Sequence, residues 1–355
     1  MILRFVRGTP EDVVQGVRAR LEREGHRTVR SPERERPILA VIGKIKSAIF
    51  TELERDPAIE ERVKSEIPDL VLVNRAFRER PTIARVGSVR VGGDDVVVIA
   101  GPCSVEGREA VLEVAHAVRD AGAHILRGGA YKPRTSPYAF QGFGVEGLSQ
   151  LKDAGEAVGL PVVSEIMDAA DLPAFLDHDI DCLQIGARNM QNFSLLKAVA
   201  ASGRPVLLKR GLAATVEEWL FAAEYLAAFG AREIMLCERG IRTYEKATRN
   251  TLDLTVLPLM REWTHLPLLV DPAHAAGIAR IIPPLSRASI AAGADGVAVE
   301  VHPDPSVARS DALQALLPGE FARLVAEARV MAAVTGRRLH PPPGPNTRSP
   351  AHVPD

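Results

Sequence analysis

The chain has 355 residues, 46% of them hydrophobic and 25% charged, with a formal net charge of −1. That length suits one large domain with a small one, or two medium domains, and the near-neutral balance argues against a protein that coats nucleic acid or a membrane surface. No apolar run approaches the roughly 20 residues of a bilayer span, Met1–Pro10 carries no leader pattern, and three widely spaced cysteines (Cys103, Cys182, Cys237) suit a reducing compartment, so a cytoplasmic location is expected.

In chain order, Met1–Val6 alternates like a short strand, and Pro10-Glu11-Asp12 opens a helical pattern to about Glu24 with Val13, Val17 and Leu21 on one face. Gly25 stops it. His26–Val29 and Ile38–Ile42 read as strands, Ala48–Lys64 as a helix interrupted near Pro57, and Asp69–Val73 as a closing strand. The order β-α-β-β-α-β is that of a ferredoxin-like domain, expected over residues 1–75. Residues 76–95 read as a linker followed by a hairpin, Thr82–Val86 and Ser88–Val91 joined at Gly87.

From Val96 short apolar runs alternate with helical patterns. The runs are Val96–Ala100, Ala123–Leu126, Pro161–Ser164, Cys182–Ile185, Val206–Lys209, Glu233–Leu236, Leu268–Val270 and Gly296–Val299. Helices are expected at about 107–121, 146–158, 169–178, 192–202, 215–229, 249–263, 277–292 and 311–333. Runs buried on both faces and separated by helices indicate a parallel sheet, and eight such units fit a closed (β/α)8 TIM barrel over residues 96–335. An open doubly wound sheet is the alternative, but the first strand is not followed by a G-x-G-x-x-G turn. Residues 336–355, with Pro341-Pro-Pro343 and Pro345, read as a disordered tail.

A barrel gathers the loops after its strands at one rim, where barrel enzymes keep their chemistry. The second of those loops, Arg127-Gly-Gly-Ala-Tyr-Lys-Pro-Arg-Thr-Ser-Pro137, crowds Arg127, Lys132 and Arg134 together, and Arg188, Lys209 and Arg239 follow at later strand ends. In a chain without surplus positive charge, such a cluster points to a bound multiply charged anion, because the cations repel unless an anion lies between them. Arginine forks take phosphate and carboxylate bidentately, and Arg134 with Thr135 or Ser136 has the donors for a second phosphate. The alternatives are a solvated basic loop, or a salt-bridge network in which Glu165 and Glu238 take part. Lys209 at a strand end also raises Schiff-base chemistry, which needs an unpaired lysine. Cys103, His274, Glu300 and Asp311 fall at strand ends as well. A thiolate, an imidazole and two carboxylates suit a borderline divalent cation, Mn, Fe, Co or Zn, with His302 as a further ligand or support. The competing reading makes Cys103 a small buried hydrophobe and the two acids solvated loop charges. Cys182 and Cys237, within or just beyond apolar runs, are expected in the core.

Several motifs carry a resemblance. Gly101-Pro-Cys-Ser-Val-Glu-Gly107, the Arg127–Pro137 loop, Leu183-Gln-Ile-Gly-Ala-Arg-Asn189, Leu207-Leu-Lys-Arg-Gly211, Cys237-Glu-Arg-Gly-Ile-Arg-Thr243, Asp271-Pro-Ala-His274 and Val299-Glu-Val-His-Pro303 are similar to those of the 3-deoxy-D-arabino-heptulosonate 7-phosphate (DAHP) synthases. The similarity runs from about Thr82 to about Ala332 and is closest to the type I-beta branch, some of whose members carry a ferredoxin-like regulatory domain.

The resemblance implies condensation of phosphoenolpyruvate with erythrose 4-phosphate, the first step of the shikimate pathway. It implies Cys103, His274, Glu300 and Asp311 as ligands of one divalent metal, and Arg127, Lys132, Arg188, Lys209 and Arg239 as the phosphoenolpyruvate site. Arg134 and Thr135 would meet the phosphate of erythrose 4-phosphate. Lys132 is the expected proton-transfer residue, with Glu165 or His274 as alternatives. The sister 3-deoxy-octulosonate 8-phosphate synthases carry an Ala-Asn-Arg-Ser type sequence where this chain has Pro133-Arg-Thr-Ser136, which favours the four-carbon acceptor. One departure is that Ala273 and Ala275 flank His274 where the family usually has small hydroxyl residues, which puts hydrogen-bond support of that histidine in question. The N-terminal domain is expected either to confer feedback control by an aromatic amino acid or later pathway product, or to serve as a stabilising or oligomerising appendage. A dimer or tetramer is the expected assembly.

Overall fold

The structure is a computed structural model that describes residues 1–33, 35–43, 47–63, 67–134 and 136–342. Thr135 and the proline-rich stretch from Pro343 lie outside the described residues. The chain divides into two units, one of Met1–Thr82 with Leu259–Leu266, the other of Ile83–Pro258 with Pro267–Asp355.

The first unit contains β1 (Ile2–Phe5), α1 (Glu11–Arg23), β2 (Arg27–Arg30), β3 (Ile38–Ile42), α2 (Ser47–Arg55) and β4 (Ile59–Val63). Its strands form an antiparallel sheet in the order β2-β3-β1-β4, the ferredoxin-like arrangement, over a core that includes Leu3, Phe5, Val14, Leu21, Leu39 and Leu53. Three expectations are corrected here. Val13 is exposed and Val14 takes its place on the buried face of α1. The helix expected to reach Lys64 ends at Arg55, because Pro57 breaks it, and Ile59–Val63 pairs with β1. Ile59 and Val63 share a face at a spacing of four in either a helix or a strand, so their spacing alone could not separate the two. Asp69–Val73 is not a strand. Its buried carbonyls are satisfied otherwise, Leu72 O by His265 Nε2 (2.8 Å) and Val73 O by Thr264 Oγ1 (2.6 Å).

The second unit opens with the hairpin β5 (Ala84–Val86) and β6 (Val89–Val91), then runs through β7 (Asp95–Gly101), α3 (Arg108–Ala121), β8 (Ile125–Arg127), α4 (Val145–Val158), β9 (Val162–Ile166), α5 (Leu172–Asp177), β10 (Cys182–Ile185), α6 (Phe193–Ala201), β11 (Val206–Lys209), α7 (Val216–Ala228), β12 (Ile234–Glu238), α8 (Val256–Trp263), β13 (Leu268–Val270), α9 (Pro272–Ala276), α10 (Ile282–Ala291), β14 (Gly296–Glu300), α11 (Pro318–Val334) and β15 (Arg338–Leu339). The segment Leu259–Leu266, which includes the second half of α8, groups with the first unit. Strands β7 to β14 are parallel neighbours in sequence order, and β14 pairs with β7 to close an eight-stranded barrel.

Hairpin residues Ala84, Val86, Val89 and Val91 share one apolar cluster with interior side chains of all eight barrel strands. The hairpin lies at the strands' N-terminal ends, where Arg85 N donates to Glu233 Oε2 (3.0 Å) just before β12. Two helices start about two turns later than expected. Residues 249–255 are held by other bonds, Arg249 N and Asn250 N donating to Ala276 O and Ala275 O, so α8 begins at Val256. Pro318, which needs no N–H partner at a first helical position, starts α11. The expected disordered tail is corrected over its first residues. Arg338–Leu339 pairs with the start of β7, and Arg337 Nη2 donates to Asp295 Oδ1 (2.7 Å). No helix among the described residues is long and apolar enough to cross a membrane.

Candidate active site

Strand periodicity delivers the site. Ile125, Val163, Leu207, Cys237, Leu269 and Ala298 face the barrel interior, and in a strand every second side chain shares a face. Two residues further along stand Arg127, Glu165, Lys209, Arg239, Asp271 and Glu300. Each therefore projects inward at the C-terminal rim. Cys182 and Cys237 belong to the apolar interior, where burial pushes both thiols above their usual range, Cys237 to about 12.

Cys103, Glu300 and Asp311 bring one possible ligand atom each within 4.8 Å of one another. Cys103 Sγ lies 3.3 Å from Asp311 Oδ2, and His274 Nε2 lies 3.4 Å from Glu300 Oε1 and 3.9 Å from Asp311 Oδ2. The far side of each group is held. Glu300 Oε2 accepts from Gln314 Nε2 (2.7 Å), and Asp311 Oδ1 accepts from Arg249 Nη1 (3.1 Å), which also donates to Gln314 Oε1 (3.0 Å). His274 Nδ1 donates to Asp271 Oδ2 (2.7 Å), leaving Nε2 as the free acceptor. Glu300 Oε1 is buried, with Arg127 Nη2 at 3.2 Å, and accepts no well-directed hydrogen bond among the described residues. An unsatisfied buried carboxylate oxygen beside a thiol, an imidazole nitrogen and a second carboxylate fits a divalent cation, and the sulfur favours a borderline one.

The electrostatics agree with that fit. Burial resists the Asp311 carboxylate, but Arg249 and His274 outweigh it and bring its pKa down to about 2. Burial likewise opposes ionised Glu300, and His274 and Arg127 overcome it. Burial lowers the pKa of His274, so its charge holds those carboxylates down only in acid, and at neutral pH the ring is the uncharged form that a ligand requires. Without a cation the Cys103 thiol is pushed up to about 12, first by burial and then by Glu300.

The cations behave differently from an ordinary ion-pair network. Arg127 Nε and Nη1 and Arg239 Nη1 are buried and meet no acceptor among the described residues. Arg188 is exposed on the turn after β10. Lys132 Nζ donates to Cys103 O and Sγ, both at 3.0 Å. Lys209 Nζ lies 2.5 Å from Asp271 Oδ2, so it is not the unpaired lysine that a Schiff base requires. Arg134 Nε donates to Phe140 O (3.0 Å) while Nη2 is buried without an acceptor among the described residues; its partner in the expected second-phosphate site, Thr135, lies outside them.

Glu165 does not join an arginine network. Its Oε2 accepts from Gln184 Nε2 (3.0 Å), and a Cβ at Gly186 would lie 1.9 Å from its Oε1, so a larger residue there would displace the carboxylate. Glu238 is tied to Arg210 Nη1 (2.9 Å) and Gly240 N (2.6 Å), which brackets Arg239 in a tight turn. His302 Nε2 lies 3.6 Å from Glu106, and its Nδ1 accepts from Asp304 N (3.1 Å). Sequence reasoning missed Gln314, Arg249 and the bridging role of Asp271. Asp271 offered a signal, a helix-capping aspartate three residues before His274; the other two offered none.

The sequence profile of the DAHP synthetase I family matches residues 69–333. The chain is 46% identical over 310 residues to the phospho-2-dehydro-3-deoxyheptonate aldolase of Thermotoga maritima, covering 87% of this chain and 91% of that one. A 2-dehydro-3-deoxyphosphooctonate aldolase of a Bradyrhizobium species is 33% identical over 264 residues, covering 68% of this chain and 91% of its own. The crystal structure of the Thermotoga maritima DAHP synthase superposes with a TM-score of 0.75 at 43% identity, over 96% of this chain and 99% of that one.

Proposed function

Because the chain belongs to the DAHP synthetase I family, we propose that the groups gathered at its barrel rim carry out that family's reaction. The chain is a DAHP synthase. It condenses phosphoenolpyruvate with erythrose 4-phosphate to DAHP and phosphate, the first step of the shikimate pathway. C3 of phosphoenolpyruvate attacks the aldehyde carbon of erythrose 4-phosphate, water adds at C2, and phosphate leaves by C–O cleavage.

The observation that carries the assignment of residues is the set of buried guanidinium N–H groups on Arg127 and Arg239 without acceptors among the described residues. Unpaired buried donors are costly, and the phosphate and carboxylate of phosphoenolpyruvate would satisfy them. Arg127, Lys132, Arg188, Lys209 and Arg239 hold that substrate in this reading, and Arg134 with Thr135 meets the phosphate of erythrose 4-phosphate. Cys103, His274, Glu300 and Asp311 would hold one divalent ion (Mn, Fe, Co or Zn), which when bound supplies Lewis acidity toward the aldehyde oxygen. Lys132 donates the proton to that oxygen as the carbon–carbon bond forms. Burial opposes its charge, but the Cys103 sulfur, a thiolate once a cation is bound, and Glu300 outweigh burial and keep it an ammonium. Glu165 takes the proton of the water that adds at C2.

A phosphate-release assay tests this reading. Erythrose 4-phosphate should support turnover that EDTA abolishes and added Mn2+ restores. Preference for arabinose 5-phosphate would assign the chain to the octulosonate reaction instead.

For the ferredoxin-like unit the proposal is feedback control by an aromatic amino acid. Removing residues 1–75 should leave turnover and abolish inhibition by tyrosine or phenylalanine; unchanged inhibition would reject the role. The enzyme is proposed to be cytoplasmic and to assemble as a dimer or tetramer.

A further inference from the structure

Asp271 has no exposed surface, and its carboxylate accepts three hydrogen bonds among the described residues. Oδ1 accepts from His274 N (2.9 Å), while Oδ2 accepts from His274 Nδ1 (2.7 Å) and from Lys209 Nζ (2.5 Å). One oxygen thus touches the imidazole that faces Glu300 and Asp311, and also a cation of the anion-binding set. We infer that Asp271 is a positioning residue that sets the metal-binding face of His274 and the ammonium of Lys209 together. The inference rests on the reading of His274 as ligand and Lys209 as substrate cation.

The physical argument starts from the imidazole. A ligating histidine needs its second nitrogen protonated and anchored, otherwise the ring can rotate or present N–H toward the ion. The residues flanking His274 are Ala273 and Ala275, which have no hydroxyl to supply that anchor. Asp271 supplies it instead, and at a spacing of three the carboxylate reaches both the backbone and the ring of the same residue. Lys209 arrives from the end of a different strand and shares the oxygen that anchors the ring. Neither partner can move without changing the other's bond. An asparagine cannot replicate the arrangement: whichever way its amide turns, the NH2 meets a donor, either the backbone N–H of His274 or the ring and ammonium together.

The test reads binding and not turnover. Mn2+ and phosphoenolpyruvate are each titrated by calorimetry into the metal-stripped full-length wild type and into Asp271→Asn, with His274→Ala as control. Asp271→Asn should weaken Mn2+ binding roughly 10–100-fold, the usual effect of removing a ligand's support. It should also weaken phosphoenolpyruvate by about tenfold, the worth of one charge-assisted hydrogen bond. Wild-type affinity for either ligand overturns the shared role. Mn2+ binding unchanged in His274→Ala would instead sink the metal-site reading, and the inference with it. If Asp271→Asn does not fold, Lys209→Met breaks the same bridge from its other end. That variant should bind Mn2+ a few-fold more tightly, because the carboxylate is left to the imidazole and a like charge is gone; an unchanged affinity overturns the inference.

Discussion

The two ends of the barrel treat buried charge in opposite ways. At the N-terminal end Asp295, fully buried, accepts from Leu268 N and from Arg337 Nη2, each at 2.7 Å. His124 there uses both ring nitrogens, Nδ1 accepting from Val98 N (2.8 Å) and Nε2 donating to His340 O (2.5 Å). At the C-terminal rim, by contrast, Arg127, Arg239 and Glu300 keep buried polar atoms without partners among the described residues. Unsatisfied polar groups cost stability wherever they are buried. Where they collect at one end of an otherwise well-paired barrel, they mark groups whose partners are ligands.

Substitutions at the two ends should therefore separate activity from stability. Cys103→Ala is expected to reduce metal-dependent turnover to background while the far-ultraviolet circular dichroism stays that of the wild type; retained turnover would remove Cys103 from the ligand set. Lys132→Met should lower kcat by roughly 10²–10⁴ through loss of general acid catalysis, and a near-wild-type kcat would exclude that role. At the other end Arg337→Ala removes the guanidinium from which Asp295 Oδ1 accepts. Urea titration should show a loss on the order of 3 kcal/mol with kcat unchanged.

Acid titration should probe the same end. Burial pushes the His124 pKa down to about 4 from an ordinary 6.5, so below the ordinary value the unfolded chain binds a proton that the folded chain does not. The stability this histidine contributes is complete above pH 6.5 and is lost as the pH falls toward 4. The loss is on the order of 3 kcal/mol, and His124→Gln should flatten that part of the profile. The smallest effect returns to the rim. Arg239→Met should raise the unfolding free energy slightly, by about 1 kcal/mol as read from urea titration, while phosphoenolpyruvate turnover collapses; a destabilised protein would show that Arg239 is structurally paired.

Much of this contrast was legible before any coordinates. Apolar runs such as Val206–Lys209, ending in a polar residue, announce both a parallel barrel and the rim to which Lys209 belongs, because strand alternation leaves no choice of face. Local ambiguity hid the strand at Ile59–Val63, whose spacing suits a helix equally well. Distance in sequence hid the support of the site. Arg249 reaches Asp311 across 62 residues and Lys209 reaches Asp271 across the same separation, and no periodicity connects such pairs. The arrested tail was concealed by composition, since Arg338–Leu339 is a short strand at the edge of a proline-rich stretch.

That short strand also bears on how the chain is made. Arg337 meets Asp95 across 242 residues, and β14 must also arrive before β7 is paired on both sides. At ordinary rates of synthesis the first barrel strand waits roughly 10 to 50 s for its last neighbours. During that interval its edge is open to any other strand, including one from a second nascent chain. The early hairpin, whose valines pack against the barrel interior, is translated immediately before β7 and is the only apolar cover available to it from the preceding 12 residues of the second unit.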